Sequence, residues 1–213
     1  MKRLVTILAI GCIAAMSLTS CLSDDDDNNQ GLTKDQISMC MTELRGDYSG
    51  KMVYLAKNPQ NIYDTQDTID ISWSVTADTL LVFKSFPANI VAEQIYDTEL
   101  KEALMEANPT KDLKCEIGFT YLDDNVEFLL APIKVDYPVL YKDITRTLSV
   151  YFWFSATSFG YKSRKTGIME GQLVMASAVL DNDESTNLIG TSPSSYANIP
   201  MMFSTSLIAA ESR

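Results

Sequence analysis

The sequence contains no histidine among its 213 residues. That removes the commonest general base, the Ser-His-Asp constellation and the commonest zinc ligand together. Its nine glycines form no glycine-rich phosphate loop, and no Gly-x-Ser-x-Gly elbow is present. Basic residues are scarce: 17 Lys and Arg stand against 28 Asp and Glu, a formal charge of −11. A chain of this balance does not bind nucleic acid by neutralising phosphates. Nor is it drawn to an anionic lipid surface. The cysteines after residue 20 are Cys21, Cys40 and Cys115, too far apart for a zinc site. Past residue 15, no apolar run approaches the roughly 20 residues of a membrane span. No cofactor and no metal set is expected.

What is present begins with Met1-Lys2-Arg3, a short positive stretch. Leu4 to Ala15 follows as an apolar run interrupted only by Thr6, Gly11 and Cys12. It is shorter than a membrane span and has the basic flank of a secretory signal. Next comes Leu18-Thr19-Ser20-Cys21: an aliphatic residue, two small ones, then the cysteine. This resembles the lipobox of bacterial lipoproteins. The resemblance implies that residues 1–20 are a lipoprotein signal peptide, that cleavage falls before Cys21, and that its thiol takes a diacylglycerol. Two or more acyl chains hold a protein at a membrane where one does not.

Residues 21–31 read as an acidic tether. After Cys21 only Leu22 is apolar, and Asp24, Asp25, Asp26 and Asp27 repel one another. Fully extended, the tether reaches roughly 35 Å. Ser23 with these four aspartates also resembles the export signal of surface lipoproteins in Bacteroidetes-type bacteria. That implies a lipid-anchored protein facing outward on the outer membrane. A plain solvated spacer is the alternative. Without Lys2 and Arg3 the chain keeps 15 basic against 28 acidic residues, a charge of −13.

Residues 32–213 are expected to form one β-rich domain, long enough for a substantial core. Thr33 and Gln36 form a capping box ahead of Ile37, Cys40, Met41 and Leu44, one apolar helical face that Gly46 ends. Strands are expected at Tyr48–Ala56, Thr68–Val75 and Thr79–Lys84, the second alternating Ile69, Ile71, Trp73 and Val75 with polar residues. Asp97 caps a helix from Thr98 to Ala107, closed by Asn108-Pro109. Leu113–Tyr121 and Val126–Ala131 flank an Asp123-Asp124-Asn125 turn. Pro132 and Pro138 assign Ile133–Tyr141 to a sheet edge or bulge. A long strand, Ile144–Thr157, leads to a polar, basic loop, Ser158–Gly167. Ile168–Leu180 suits a strand covered on both faces. A long loop, Asp181–Asn198, precedes a last strand, Ile199–Ala210.

Eight to ten hairpin-linked antiparallel strands with two short helices imply a mainly β fold, a barrel or a sandwich. Leu44-Arg45-Gly46-Asp47-Tyr48-Ser49-Gly50-Lys51, followed by Trp73-Ser74-Val75-Thr76, resembles the opening of lipocalin-like (calycin-like) lipoprotein domains of unknown function. The resemblance implies an antiparallel up-and-down barrel. The Thr98–Ala107 helix between strands departs from a simple meander.

Carboxylate pairs such as Asp123-Asp124, or Glu170 with Asp181, are what glycoside hydrolysis would require. Their turn-like settings suit solvated charge instead, and no enzymatic activity is expected. Asp181-Asn182-Asp183-Glu184 offers calcium-type oxygens but lacks an EF-hand's glycine and terminal glutamate. Cys40 and Cys115 are either a disulfide pair or two buried thiols. On Ile144–Thr157, Leu148, Val150, Phe152 and Phe154 read as core. The other face carries Thr145, Thr147, Ser149, Tyr151, Trp153, Ser155 and Thr157. Tyr151 and Trp153 beside Ser149 and Ser155 form a candidate platform for stacking a sugar ring. The alternative is that these rings are simply good strand formers, or lie under the 98–107 helix.

Two functions are therefore expected: a surface binding module for a small apolar ligand or a glycan, or an interaction subunit of a larger outer-membrane complex. Cys21→Ala is expected to abolish acylation and release the protein from membranes, read by intact mass and fractionation. Deleting residues 24–27 is expected to keep the lipid but protect the protein from protease added to intact cells. Equal shaving of the deletion strain would assign the acidic run to a spacer.

Overall fold

The computed structural model describes residues 32–57, 64–76, 79–122 and 125–206. The stretch expected to be a signal peptide, Cys21 as the expected lipid site, the expected export residues Ser23 to Asp27 and the pair Asp123-Asp124 lie outside the described residues. The first helix, α1, runs Lys34–Leu44. Its capping box forms as expected: Thr33 Oγ1 accepts the Gln36 N–H at 3.3 Å, and Gln36 Oε1 accepts the Thr33 N–H at 2.8 Å. Cys40, Met41 and Leu44 are its buried face. Gly46 follows with φ +147°, a conformation that side chains rarely adopt, and the chain turns there into a strand.

Ten strands follow: β1 Gly46–Lys57, β2 Asp64–Val75, β3 Leu80–Pro87, β4 Thr110–Leu122, β5 Asn125–Pro132, β6 Val135–Tyr141, β7 Ile144–Trp153, β8 Ser155–Ser163, β9 Met169–Leu180 and β10 Ile199–Ser204. Between β3 and β4 stand α2, Asn89–Ala92, and α3, Thr98–Ala107. Pairing runs β10-β1-β2-β3-β4-β5-β8-β9, and β9 pairs back onto β10. The result is a closed eight-stranded antiparallel barrel. The helical excursion does not interrupt the meander, because β3 and β4 still pair directly. β7 and β6 extend from β9 as a flap outside the ring, and β6 ends the sheet, where Pro138 is tolerated.

Two expectations are corrected. The strand expected over Ile144–Thr157 breaks at Phe154. Before the break, β7 pairs with Val174–Leu180 of β9; after it, β8 pairs with Met169–Gln172 and crosses to β5. The Ser158–Gly167 loop is mostly strand, since β8 continues to Ser163. Its polar composition hid a period of two, with Ser158 and Gly160 buried and Phe159 exposed.

The barrel axis is filled with side chains. Trp73 donates its indole N–H to Met169 Sδ at 3.1 Å and packs against Tyr48, Phe83 and Phe203, with ring centroids 5.3–5.9 Å away. Gly171 lets β9 approach: a Cβ there would fall 2.4 Å from the Phe203 ring. Cys115 in the barrel and Cys40 on α1 are free, buried thiols, so of the two alternatives the structure has the thiols. Burial raises the pKa of both, which keeps them protonated and inert.

Each barrel end is closed differently. At one end α1 lies with its C-terminus pinned: Lys162 Nζ donates to the Glu43 carbonyl at 2.7 Å and to Tyr48 Oη at 2.9 Å, and Tyr48 Oη–H donates to the Leu44 carbonyl at 2.6 Å. The last turn of α1 has no cation of its own, so β8 supplies one. At the other end, α2, α3 and the flap share a core. Tyr137 donates to the Phe86 carbonyl at 3.0 Å, Phe152 meets Phe86 edge-on at 6.3 Å, and Tyr141 donates to Asp97 at 2.8 Å. Asp97 also accepts the Leu100 N–H at 2.9 Å, capping α3 as expected.

Trp73→Ala removes the largest fully buried side chain of the barrel. It is expected to destabilise the fold by about 3–5 kcal/mol, read as a lowered urea midpoint.

Candidate functional site

Alternation along β7 places Leu148, Val150 and Phe152 on the buried side and Ser149, Tyr151 and Trp153 on the opposite one. That second face is not covered by α3. The 181–198 loop covers it, tied along the free edge of β9 by Leu188 N–H to Ala178 O and Ala197 N–H to Ala176 O, both 2.8 Å. Asn187 locks the loop, accepting the Ala178 N–H at 3.0 Å and donating to Ala176 O at 3.2 Å and Ser195 O at 2.7 Å.

The four expected platform residues therefore fare differently. Ser149 is fully buried and donates to Asp136 Oδ1 at 2.7 Å, so it is not reachable. Tyr151 is half-buried, and burial raises its pKa. Trp153 is half-buried: its indole N–H donates to Ala197 O at 2.8 Å, and its ring lies 5.4 Å from that of Tyr196 at 58°. Ser155 opens β8, and its side chain lies outside those described. Phe154, assigned to the core from alternation, is 39% exposed because it sits at the break between β7 and β8.

Antiparallel partners share a face, so the register draws the outer wall directly. Trp153 pairs with Val174 on β9, and Val174, Gln172 and Glu170 alternate outward along that strand. Beside Gln172 stand Met202 on β10 and Phe159 on β8, followed outward by Val53 on β1 and Leu129 on β5. Met202 is 59% and Phe159 40% exposed. This is an apolar stripe on four strands, interrupted on β9 by Gln172. The next row is polar: Lys51, Ser204, Glu170, Tyr161 and Glu127. Met202, Phe159 and Tyr196 were not singled out in the sequence. Only the ring closure brings the first two to either side of Gln172.

Glu170 centres the polar row. Tyr161 Oη–H donates to one carboxylate oxygen, and Ser204 and Ser206 donate to the other at 2.8 and 3.0 Å. These bonds, that of Tyr161 foremost, lower the pKa of Glu170, and the same contact raises that of Tyr161. Glu170 is thus held ionised with both oxygens engaged, the wrong state for a general acid. Asp181 lies at the far end of β9, roughly 35 Å away along the strand, beyond any glycosidase carboxylate pair. Asp181 accepts the Thr147 N–H at 2.9 Å and Arg146 at 3.2 Å, and Asp183 accepts from Ser185, so neither oxygen set is arranged around a cation. Among the described residues no group of three His, Cys, Asp or Glu converges on a metal-sized site.

Trp153→Phe keeps an aromatic ring, though a smaller one, and loses the donor to Ala197, an expected cost of about 1 kcal/mol. Trp153→Ala also frees the loop and is expected to cost about 2–3 kcal/mol, below a full core deletion because the ring is only half-buried. Thermal melts separate the two. Glu170 has a pKa below its ordinary 4.5, so its contribution is present above that value and is lost as pH falls through the lowered one. Glu170→Gln is therefore expected to flatten the acid limb of a stability–pH curve below about pH 4.5.

No curated protein and no solved structure matches the chain significantly. A family model, by contrast, matches residues 43–180, from the end of α1 to the end of β9. The chain belongs to the family described as a domain of unknown function, DUF4840.

Proposed function

We propose that the chain is a Bacteroidetes-type surface lipoprotein, held in the outer membrane through acylated Cys21 and exported by Ser23 and Asp24–Asp27, and that its barrel is a non-enzymatic module binding a glycan on the outer wall. The observation that carries the binding reading is the Trp153–Tyr196 ring pair at the border of the 181–198 loop. Trp153 is fixed by its hydrogen bond to Ala197, and Tyr196 is 52% exposed. A rigid aromatic plane with a polar tip suits a sugar face. The filled axis around Trp73, Phe83 and Phe203 favours this wall over an interior site for a small apolar ligand.

Tyr196→Ala tests the proposal without threatening the core. On a glycan array the wild-type domain is expected to give a defined set of ligands. The variant is expected to keep the wild-type melting temperature within a few degrees. Its binding should weaken by about 1 kcal/mol, roughly fivefold. An array with no ligand, or ligands indifferent to Tyr196, would sink the glycan reading.

The alternative, an interaction subunit of a larger outer-membrane complex, is supported by the flap. β6 has a strand neighbour on one side only, and the hairpin tip carries Leu140 and Ile144, 64% and 57% exposed. Cross-linking in intact cells is expected to capture a partner that Leu140→Asp releases. A monomer with no cross-linked partner would remove this reading.

A further inference from the structure

β9 sets an order on the outer wall that neither the Trp153–Tyr196 pair nor the apolar stripe shows alone. Its outward residues are Val174, Gln172 and Glu170. Trp153 pairs with the first, Phe159 with the second and Tyr161 with the third. Trp153 comes from β7 and the other two from β8, yet all three lie along the same side of β9. Successive outward positions on a strand are two residues, or about 7 Å, apart. Three aromatic residues thus stand in line, the rungs of a ladder about 14 Å long. The break at Phe154 makes this possible, because β8 takes its place beside β9 where β7 leaves it.

The end rungs are held in place, and polar groups stand beside the ladder. Trp153 is fixed by its bond to Ala197, and Tyr161 by its bond to Glu170. Phe159, between them, is exposed. Rings fixed before binding lose little side-chain freedom on contact. Gln172 Nε2 donates to the Thr157 carbonyl at 3.0 Å, which orients the amide beside Phe159. Its oxygen can accept from a ligand hydroxyl. The third rung lies between two carboxylates, Glu170 on β9 and the exposed Glu127 on β5. Lys51, the cation of that row, is paired with Asp70 at 2.6 Å. An anionic ligand is therefore repelled there.

Building on the glycan reading of this wall, we infer that the ladder Trp153–Phe159–Tyr161 binds a neutral, linear oligosaccharide of at least three pyranose units lying along β9. A pyranose ring is close to an aromatic ring in size, so one sugar covers one rung. Its faces are C–H surfaces that stack on rings, and its edges carry hydroxyls that need polar partners. The wall offers both in the same order. Aromatic rings follow one side of β9, and Gln172 and Glu170 follow the strand itself. An apolar protein surface would instead have to bury that amide and that carboxylate, at a cost. Tyr196, beside the first rung, belongs to the first sugar alone.

The test uses an array of neutral gluco-, manno- and xylo-oligosaccharides beside uronic-acid oligosaccharides, each series of one to six units. The wild-type protein is expected to bind a neutral series, with affinity rising about fivefold for each unit up to three. Phe159→Ala is expected to remove most of that gain: a trisaccharide binds several-fold more weakly, and a single sugar is unaffected. Phe159→Tyr is expected to restore it. Tyr196→Ala, by contrast, is expected to weaken every length. Circular dichroism confirms that each variant is folded, and the wild-type length series gives its reading without any variant. Affinity independent of length, with Phe159→Ala silent and Tyr196→Ala still weakened, would overturn the ladder and leave the glycan reading standing. No signal from any series would overturn both. Uronic-acid chains bound as well as neutral ones would overturn the ligand class inferred here. So would a full-length dimer in sedimentation that Phe159→Ala dissociates, since a second copy would then occupy the wall.

Discussion

The architecture depends on the backbone pairing of β9. Its first half pairs with β8 on one side and β10 on the other, which closes the barrel. Its second half pairs with β7 and carries the flap, while the 181–198 loop takes the other edge. One twelve-residue strand thus satisfies the ring, the flap and the loop at once. Its burial follows from this: Leu173 to Val179 are buried without interruption, because the outward residues of that stretch lie beneath the loop. Gly171 marks the tightest point, where the Phe203 ring occupies the space of a side chain.

Closure has a consequence for where chemistry can happen. An eight-stranded barrel is just wide enough for side chains to fill it, and here aromatic rings do so. Trp73, Phe83 and Phe203 pack tilted or edge-on with centroids 5.0–5.9 Å apart, and the one polar atom of Trp73 is satisfied by Met169. The interior is therefore a core. What the ring exposes is its outer wall, where register sets apolar, polar and aromatic rows side by side. A closed barrel also has no free strand edge, so the flap strand β6 carries the edge instead, with Pro138 removing one of its donors.

The ends of the barrel show the same economy. α1 brings no cation to its own C-terminus, and Lys162 reaches it from β8 while Arg164 forks onto Glu43 at 2.8 and 3.2 Å. Residues that read in the sequence as a polar, basic loop are thus the clamp on a helix. The partly exposed Arg164–Glu43 pair contributes modestly. The bond from Lys162 to the helix carbonyl positions α1 over the barrel mouth.

The sequence by itself determined what depends on neighbours in the chain. The Thr33–Gln36 capping box, the helix from Thr98 to Ala107 capped by Asp97, the alternation of Ile69, Ile71, Trp73 and Val75, and the edge character of the Pro138 strand are local matters of dihedral preference, spacing and a missing donor. The opening motif resembled that of a barrel class, but barrel and sandwich both stayed open until β9 paired back onto β10. Tertiary structure decided whatever depended on which strands became neighbours. The break at Phe154 arises because β7 and β8 serve different partners, and no residue there announces it. Ser149 reads as an exposed hydroxyl until the 181–198 loop folds over it. Cys40 and Cys115 were an open choice until one was placed on α1 and the other inside the barrel. Met202 and Phe159 lie 43 positions apart in the chain and become neighbours across β9 only when β10 closes the ring. Period-two patterns record which face a residue takes, but the identity of the strand alongside is fixed by long-range pairing, and that information is not local.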